Sequence, residues 1–120
     1  MIGTTIRALG ILSFLAVPAI AGEASKTSGF ASAAYSYYCA DGATIEAAYI
    51  NMDSGLSLAV LHVDDDMLVM ENVVSASGAR YATVDQDDED RFVWWTKGDE
   101  GFLQRGPDGE EAMVHTACTS

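Results

Sequence analysis

The chain has 120 residues, a single-domain length, with 6 Lys and Arg against 18 Asp and Glu and a formal net charge of −12 at pH 7. This balance excludes nucleic acid and anionic membrane as natural partners, because both need a basic footprint. A basic protein is the natural complement, since opposite net charges speed encounter, although acid also keeps an exported protein soluble.

The opening MIGTTIRALGILSFLAVPAIAG places Arg7 before an apolar run, Ala8 to Val17, and then small residues at Ala19 and Ala21. That is the layout of a secretory signal peptide, residues 1–21, cleaved after Ala21. The run is shorter than the ~20 residues that span a bilayer, and no cysteine stands near the cleavage point to take a lipid. The expectation is an exported, soluble product with no stable membrane anchor. Cleavage would remove Arg7 and no acid, taking the charge from −12 to −13.

Residues 22–33, small, polar and without period, read as a flexible lead-in, and 34–120 as the folded domain. Eight β-type runs follow: YSYYC, TIEAAYI, LSLAVLHV, MLVMENVV, ARYATV, RFVWWT, FLQ and AMVHTAC. Turn clusters rich in Gly, Asp and Asn separate them. This regular punctuation indicates an all-β sandwich or barrel, with short connections that make neighbours antiparallel. In the second run Ile45, Ala47 and Tyr49 share one face and Glu46 takes the other. In the third, Leu58 to Leu61 are apolar on both faces, as if covered twice or packed on a neighbour. A domain this small gains from a covalent staple. Cys39 and Cys118 are the only cysteines, so an exported chain has one possible disulfide.

Enzyme signatures are missing. There is no GxSxG elbow, and Ser77-Gly78 lacks the strand-turn-helix context of one. His62 and His115 fall inside apolar runs, the setting of structural histidines. The acidic loop Asp85 to Asp90 imitates a calcium loop, but Asp90 stands where glycine is needed and Thr96 where the bidentate glutamate belongs. DQDDED and Asp64 to Asp66 therefore read as solvated connections. No cofactor, metal or catalytic residue is expected. Two glycine turns remain, SASG around Ser77-Gly78 and TKG at Thr96-Lys97-Gly98.

Those turns belong to a longer pattern: Tyr37-Tyr38-Cys39 with Asp41-Gly42, Ala48-Tyr49, SASGARY, the aromatic strand into Thr96-Lys97-Gly98, Asp99 to Leu103, and Cys118. In that order the pattern resembles the membrane-bound and periplasmic inhibitors of c-type lysozyme, MliC and PliC, over roughly Tyr37 to Cys118. The resemblance implies an eight-stranded antiparallel β-barrel closed by the Cys39–Cys118 disulfide, and a proteinaceous inhibitor that enters the cleft of c-type lysozyme. The family motif SGxxY maps onto Ser77, Gly78 and Tyr81. YxxxTKG maps onto Phe92, Thr96, Lys97 and Gly98, with Phe92 in place of tyrosine and its hydroxyl lost. Lacking a lipidation cysteine, the sequence resembles the soluble periplasmic branch.

The residue chemistry suits that role. A retaining glycosidase carries two carboxyl groups ~5 Å apart, and a serine hydroxyl both donates and accepts. Ser77 fits between such carboxyls, and Lys97 brings an ammonium to the ionised one. Arg80 and Tyr81 are of types enriched at interface hot spots, and either can instead pack on the barrel wall. Trp95 shares strand parity with Lys97, which favours the contact side. The alternative function is a periplasmic binding module for peptidoglycan fragments or another small ligand, using the barrel mouth or the aromatic strand.

Overall fold

The computed structural model describes residues 24–27, 29–84 and 86–120. The expected signal peptide, residues 1–21, lies outside the described residues. Strands β1 (Ala24–Thr27), β2 (Phe30–Tyr38), β3 (Thr44–Met52), β4 (Ser57–Val63), β5 (Asp66–Val73), β6 (Ala79–Thr83), β7 (Phe92–Lys97), β8 (Glu100–Arg105) and β9 (Ala112–Thr119) follow in chain order. Each pairs antiparallel with the next, and β2 also pairs with β9, so β2 to β9 close an eight-stranded barrel. The eight runs expected from turn chemistry are these eight strands. The segment read as a lead-in differs: β1 and the first four residues of β2 lie within 22–33, in a hairpin that pairs Ala24 with Ala33 and Thr27 with Phe30. Alanine and serine give that pairing little apolar alternation, which is why the pattern misses it.

The closing seam is short. Tyr38 stands opposite Thr119, and the Ala40 N–H donates to the Thr116 carbonyl at 3.1 Å. The Cys39–Cys118 disulfide, between residues 79 apart in sequence, lies at this seam. By loop-closure entropy a bridge of that span contributes about 4 kcal/mol, at the place where the ladder itself is thinnest.

Period-two alternation fills the barrel. Ile45 and Ala47 from β3, Ala59, Leu61 and Val63 from β4, Met70, Tyr81, Trp94 and Leu103 form one buried cluster with Tyr37 and the disulfide. Trp94 is fully buried, meets Tyr37 edge-on at 5.0 Å, and donates its indole N–H to the Tyr49 hydroxyl at 2.8 Å. The indole thus has its single polar atom satisfied, which a buried tryptophan requires. Gly101 sits against it: a β-carbon there would stand 2.7 Å from the Trp94 ring. In β4 the alternate residues Leu58 and Val60 are half-buried on the outer wall, so that strand is covered on one face only.

In this meander the β2–β3, β4–β5, β6–β7 and β8–β9 connections gather at one end and the other three at the opposite end. At the first end His115 bridges two turns, with its ring nitrogens 2.6 Å from Asp41 and 2.7 Å from Asp64. With a carboxylate at each nitrogen, the ring is placed to donate from both as an imidazolium. Asp64 and Asp65 reach this place through a tight hairpin turn with φ of 52° and 66°. The histidine is structural, as expected, but Asp64 is more than a solvated connection. Burial alone disfavours the imidazolium; the hydrogen bonds and charges of Asp64 and Asp41 outweigh it and raise the His115 pKa above the ordinary 6.5. The hydrogen bond from His115, with a second from the Ala43 N–H, lowers that of Asp41.

Two predictions follow from this packing. A raised histidine pKa contributes stability that is fully present below the unfolded value and lost as pH rises through the folded one. The lowered Asp41 contributes stability lost as pH falls through its own folded value. Urea midpoints measured from about pH 5 to about pH 9 should therefore decline above 6.5, and His115→Gln should flatten that decline. Separately, Gly101→Ala should cost about 1–3 kcal/mol of unfolding free energy through overpacking against Trp94, read from the same urea curves.

Candidate functional site

At the opposite end the β5–β6 turn carries Ser77-Gly78 and the β7–β8 turn carries Lys97-Gly98. They are neighbours because β6 pairs with β7, Ala79 opposite Thr96 and Arg80 opposite Trp95. Gly78 brings them closer still. Its φ is +71°, and a β-carbon on it would lie 2.4 Å from the Thr96 carbonyl oxygen and 3.3 Å from the Lys97 β-carbon. Only glycine takes that backbone conformation without cost and leaves that space. The Ser75 hydroxyl donates to the Ser77 carbonyl at 2.7 Å, which holds the turn while the Ser77 side chain stays exposed.

Ser77, Trp95, Lys97, Glu100 and Phe102 line one outer concavity of about 410 Å³. Trp95 stacks on Phe102, the ring centroids 5.9 Å apart and the planes inclined by 20°. Lys97 is exposed and has no carboxylate partner among the described residues, although Glu100 stands opposite it in register. Trp95 is on the Lys97 side, as strand parity implies. Phe102 and Glu100 are site residues that the motif reading missed. The signal was present in the hairpin arithmetic: residues equally distant from the Gly98-Asp99 turn face each other, so Trp95 meets Phe102 and Lys97 meets Glu100.

Arg80 and Tyr81 lie on opposite sides of β6. Tyr81 is buried in the barrel with its ring 5.7 Å from that of Tyr49. Arg80 lies along the outer wall, its guanidinium 5.3 Å from the Trp95 ring centre and paired with Asp108 at 3.0 Å and Glu111 at 3.2 Å. Arg91 reaches Glu111 at 3.2 Å as well. The Arg80 hydrogen bond and the charge of Arg91 lower the pKa of Asp108. Burial pushes Glu111 up, but backbone N–H groups and Arg91 outweigh it and the net shift is down. Arg80 thus steadies Trp95, a wall of the concavity, from behind.

Phe92 begins β7, at the far end from Lys97. It packs against the core beneath the Arg105 guanidinium, 5.3 Å from its ring, and its N–H donates to the Thr83 hydroxyl at 2.9 Å. Five residue steps of strand rise separate it from Lys97, about 17 Å. The fold therefore brings together Ser77, Gly78, Thr96, Lys97 and Gly98 but not Phe92, and a phenyl ring serves that packing position without a hydroxyl.

A family model described as membrane-bound lysozyme-inhibitor of c-type lysozyme (MliC) matches residues 37–112. A membrane-bound lysozyme inhibitor of C-type lysozyme from Pseudomonas aeruginosa is 40% identical over 83 residues, 68% of this chain and 60% of that protein. A protein of the same description from Cupriavidus necator is 40% identical over 68 residues, 57% of this chain and 49% of that one. The chain thus spans about half to three-fifths of the length of these relatives. Among solved structures, the periplasmic lysozyme inhibitor of C-type lysozyme PliC-St from Salmonella typhimurium superposes with a TM-score of 0.62 at 26% identity, covering 73% of this chain and 95% of that one. Pseudomonas aeruginosa MliC, solved in complex with hen egg white lysozyme, gives 0.56 at 30% identity, covering 91% and 98%. With its closed antiparallel barrel, its disulfide at the seam and a family match over most of the folded region, this chain belongs to the MliC family of lysozyme inhibitors.

Proposed function

We propose that this protein inhibits c-type lysozyme from the periplasm, seating Ser77 and Lys97 in the enzyme's cleft beside its catalytic carboxyl groups. The observation that carries the reading is the convergence of the two family motifs: Gly78 against the Thr96 carbonyl presents Ser77 and Lys97 on one rim. In a retaining glycosidase two carboxyls ~5 Å apart hold one proton between different environments. The Ser77 hydroxyl donates to the ionised carboxylate and accepts from the protonated acid. Lys97 adds a charge-assisted hydrogen bond from an ammonium that has no carboxylate partner to leave among the described residues. Nothing about Ser77 makes it a substrate, so it occupies the cleft without reacting. Thr96, Gly78 and Gly98 fix the two turns, Tyr81 supports them from the core, and Arg80 acts through Trp95. The net charge of −12 attracts a basic enzyme from a distance. That a relative is solved with hen egg white lysozyme supports the choice of partner.

In a cell-wall lysis assay with hen egg white lysozyme, the purified chain should abolish lysis, while Ser77→Ala and Lys97→Ala should each lower potency roughly tenfold or more, as for loss of a hydrogen bond to a charged group. Undiminished lysis at large excess of wild type would end the proposal. Equal potency of all three proteins would leave inhibition standing and remove these residues from it. Raising the salt concentration should slow association. Gly78→Ala should cost about 1–3 kcal/mol in urea unfolding and lose potency as well, because it parts the two turns.

A further inference from the structure

On the inner side of the Thr96–Gly98 turn the barrel opens into a second space of about 370 Å³, walled by Tyr35, Tyr37, Tyr49 and Tyr81 with Asp99 at its edge. Thr96 borders both this mouth and the outer concavity. The rings of Tyr35 and Tyr49 are 6.0 Å apart and inclined by 54°, those of Tyr49 and Tyr81 5.7 Å and 43°. They tilt against one another instead of stacking, so neither neighbour covers the other's face. Tyr35 is 43% exposed.

Two of the tyrosine hydroxyls, those of Tyr37 and Tyr49, are tied below. The Tyr49 oxygen accepts from Trp94 and shares a 2.8 Å bond with the Tyr37 hydroxyl. Burial raises the pKa of Tyr37, Tyr49 and Tyr81, so these three rings are neutral phenols. Asp99 gives its backbone carbonyl to the Ser120 N–H, and its exposed carboxylate has no cationic partner among the described residues.

Elsewhere this protein covers aromatic faces with its own arginines. Arg80 lies over Trp95 and Arg105 over Phe92, each at 5.3 Å. Among the described residues, the mouth, unlike the other two aromatic places, has no lysine or arginine in its lining. Electron-rich rings beside a free carboxylate in a chain of charge −12 attract a cation and repel an anion.

We propose that the tyrosine mouth receives an arginine or lysine side chain of the protein partner docked at Ser77 and Lys97. This rests on the inhibitor reading above and adds a requirement to it. The partner must set an anion against Lys97 and, across the Thr96–Gly98 turn, a cation against Tyr35 and Asp99. A surface with only one of those charges leaves Lys97 or Asp99 desolvated without a partner, which makes the pair a specificity device.

Binding of hen egg white lysozyme to the whole chain, followed by calorimetry, tests this. Tyr35→Ala and Asp99→Asn should each weaken binding about tenfold, the value of a partly desolvated cation–π contact, while Tyr35→Phe, which keeps the ring, should stay within about twofold. Urea midpoints of these exposed-site variants confirm that each is folded. In parallel, tyrosine ring signals of the free protein are followed by NMR as L-arginine methyl ester and, separately, an N-acetylglucosamine trimer are added. Shifts at Tyr35 and Tyr49 with the arginine ester support the proposal. Unchanged lysozyme affinity in both Tyr35→Ala and Asp99→Asn overturns it, as do shifts with the saccharide alone, which would make the mouth a glycan site. Failure of wild type to bind lysozyme overturns the inhibitor reading itself, and the arginine titration then still decides the chemistry of the mouth.

Discussion

The contact on which this surface depends is between an absent side chain and a carbonyl oxygen. With Gly78 free of a β-carbon, the β5–β6 turn lies directly on the Thr96 peptide, in space that any other residue would fill at 2.4 Å. Two turns separated by a whole hairpin of sequence thereby become one rim. Beneath it the same device recurs, because Gly101 leaves room for the Trp94 ring that supports the β7–β8 turn. Glycine at these points is a matter of volume as much as of backbone freedom, and the bulk it makes room for is the largest side chain in the core.

The two ends of the barrel are built on different physics. One is clamped by His115, which ties Asp41 and Asp64 together, and from it the paired network of Glu111, Asp108, Arg91 and Arg80 runs along the wall toward Trp95. At the other end Lys97 and Asp99 have no ion-pair partner among the described residues, and the faces of Tyr35 and Tyr49 are tilted apart instead of stacked. Charges already paired inside a protein have little to offer a partner, whereas free ones on a short rigid turn keep their whole interaction for it. The Trp94–Tyr49–Tyr37 bonds show how the core carries this difference upward, since the indole anchored at the centre orients the phenols of the open end.

Much of the fold was legible because strands of this kind are bounded by residues with definite turn chemistry. Asp41-Gly42, Ser77-Gly78 and Lys97-Gly98 mark three ends without reference to anything distant. Closure is not local in that way. Whether eight antiparallel strands make a sandwich or a barrel depends on Tyr38 meeting Thr119, a pairing across most of the chain that no window of sequence contains. The bridge from His115 to Asp64 is equally remote, and three successive aspartates look like any solvated turn until the fold places a histidine among them. In the candidate site, Arg80 and Tyr81 are adjacent and so take opposite faces of β6, but only the closed barrel makes Tyr81 the inner one. Phe92 shows the opposite case: strand rise alone separates it from Lys97, and its membership of a sequence motif says nothing of shared location.

The unpaired state of Lys97 has a kinetic meaning. In a chain with three acids for every base, a lysine would ordinarily be claimed by a neighbouring carboxylate, and any outside anion would have to compete for it. The short β7–β8 turn holds this ammonium away from such capture even with Glu100 across the hairpin. No ion pair with a described residue has to break before it meets another charge, so the barrier to forming a new contact is chiefly the shedding of water. A surface prepared in this way locks quickly after encounter, and the time it then stays bound is decided by what stands opposite the ammonium.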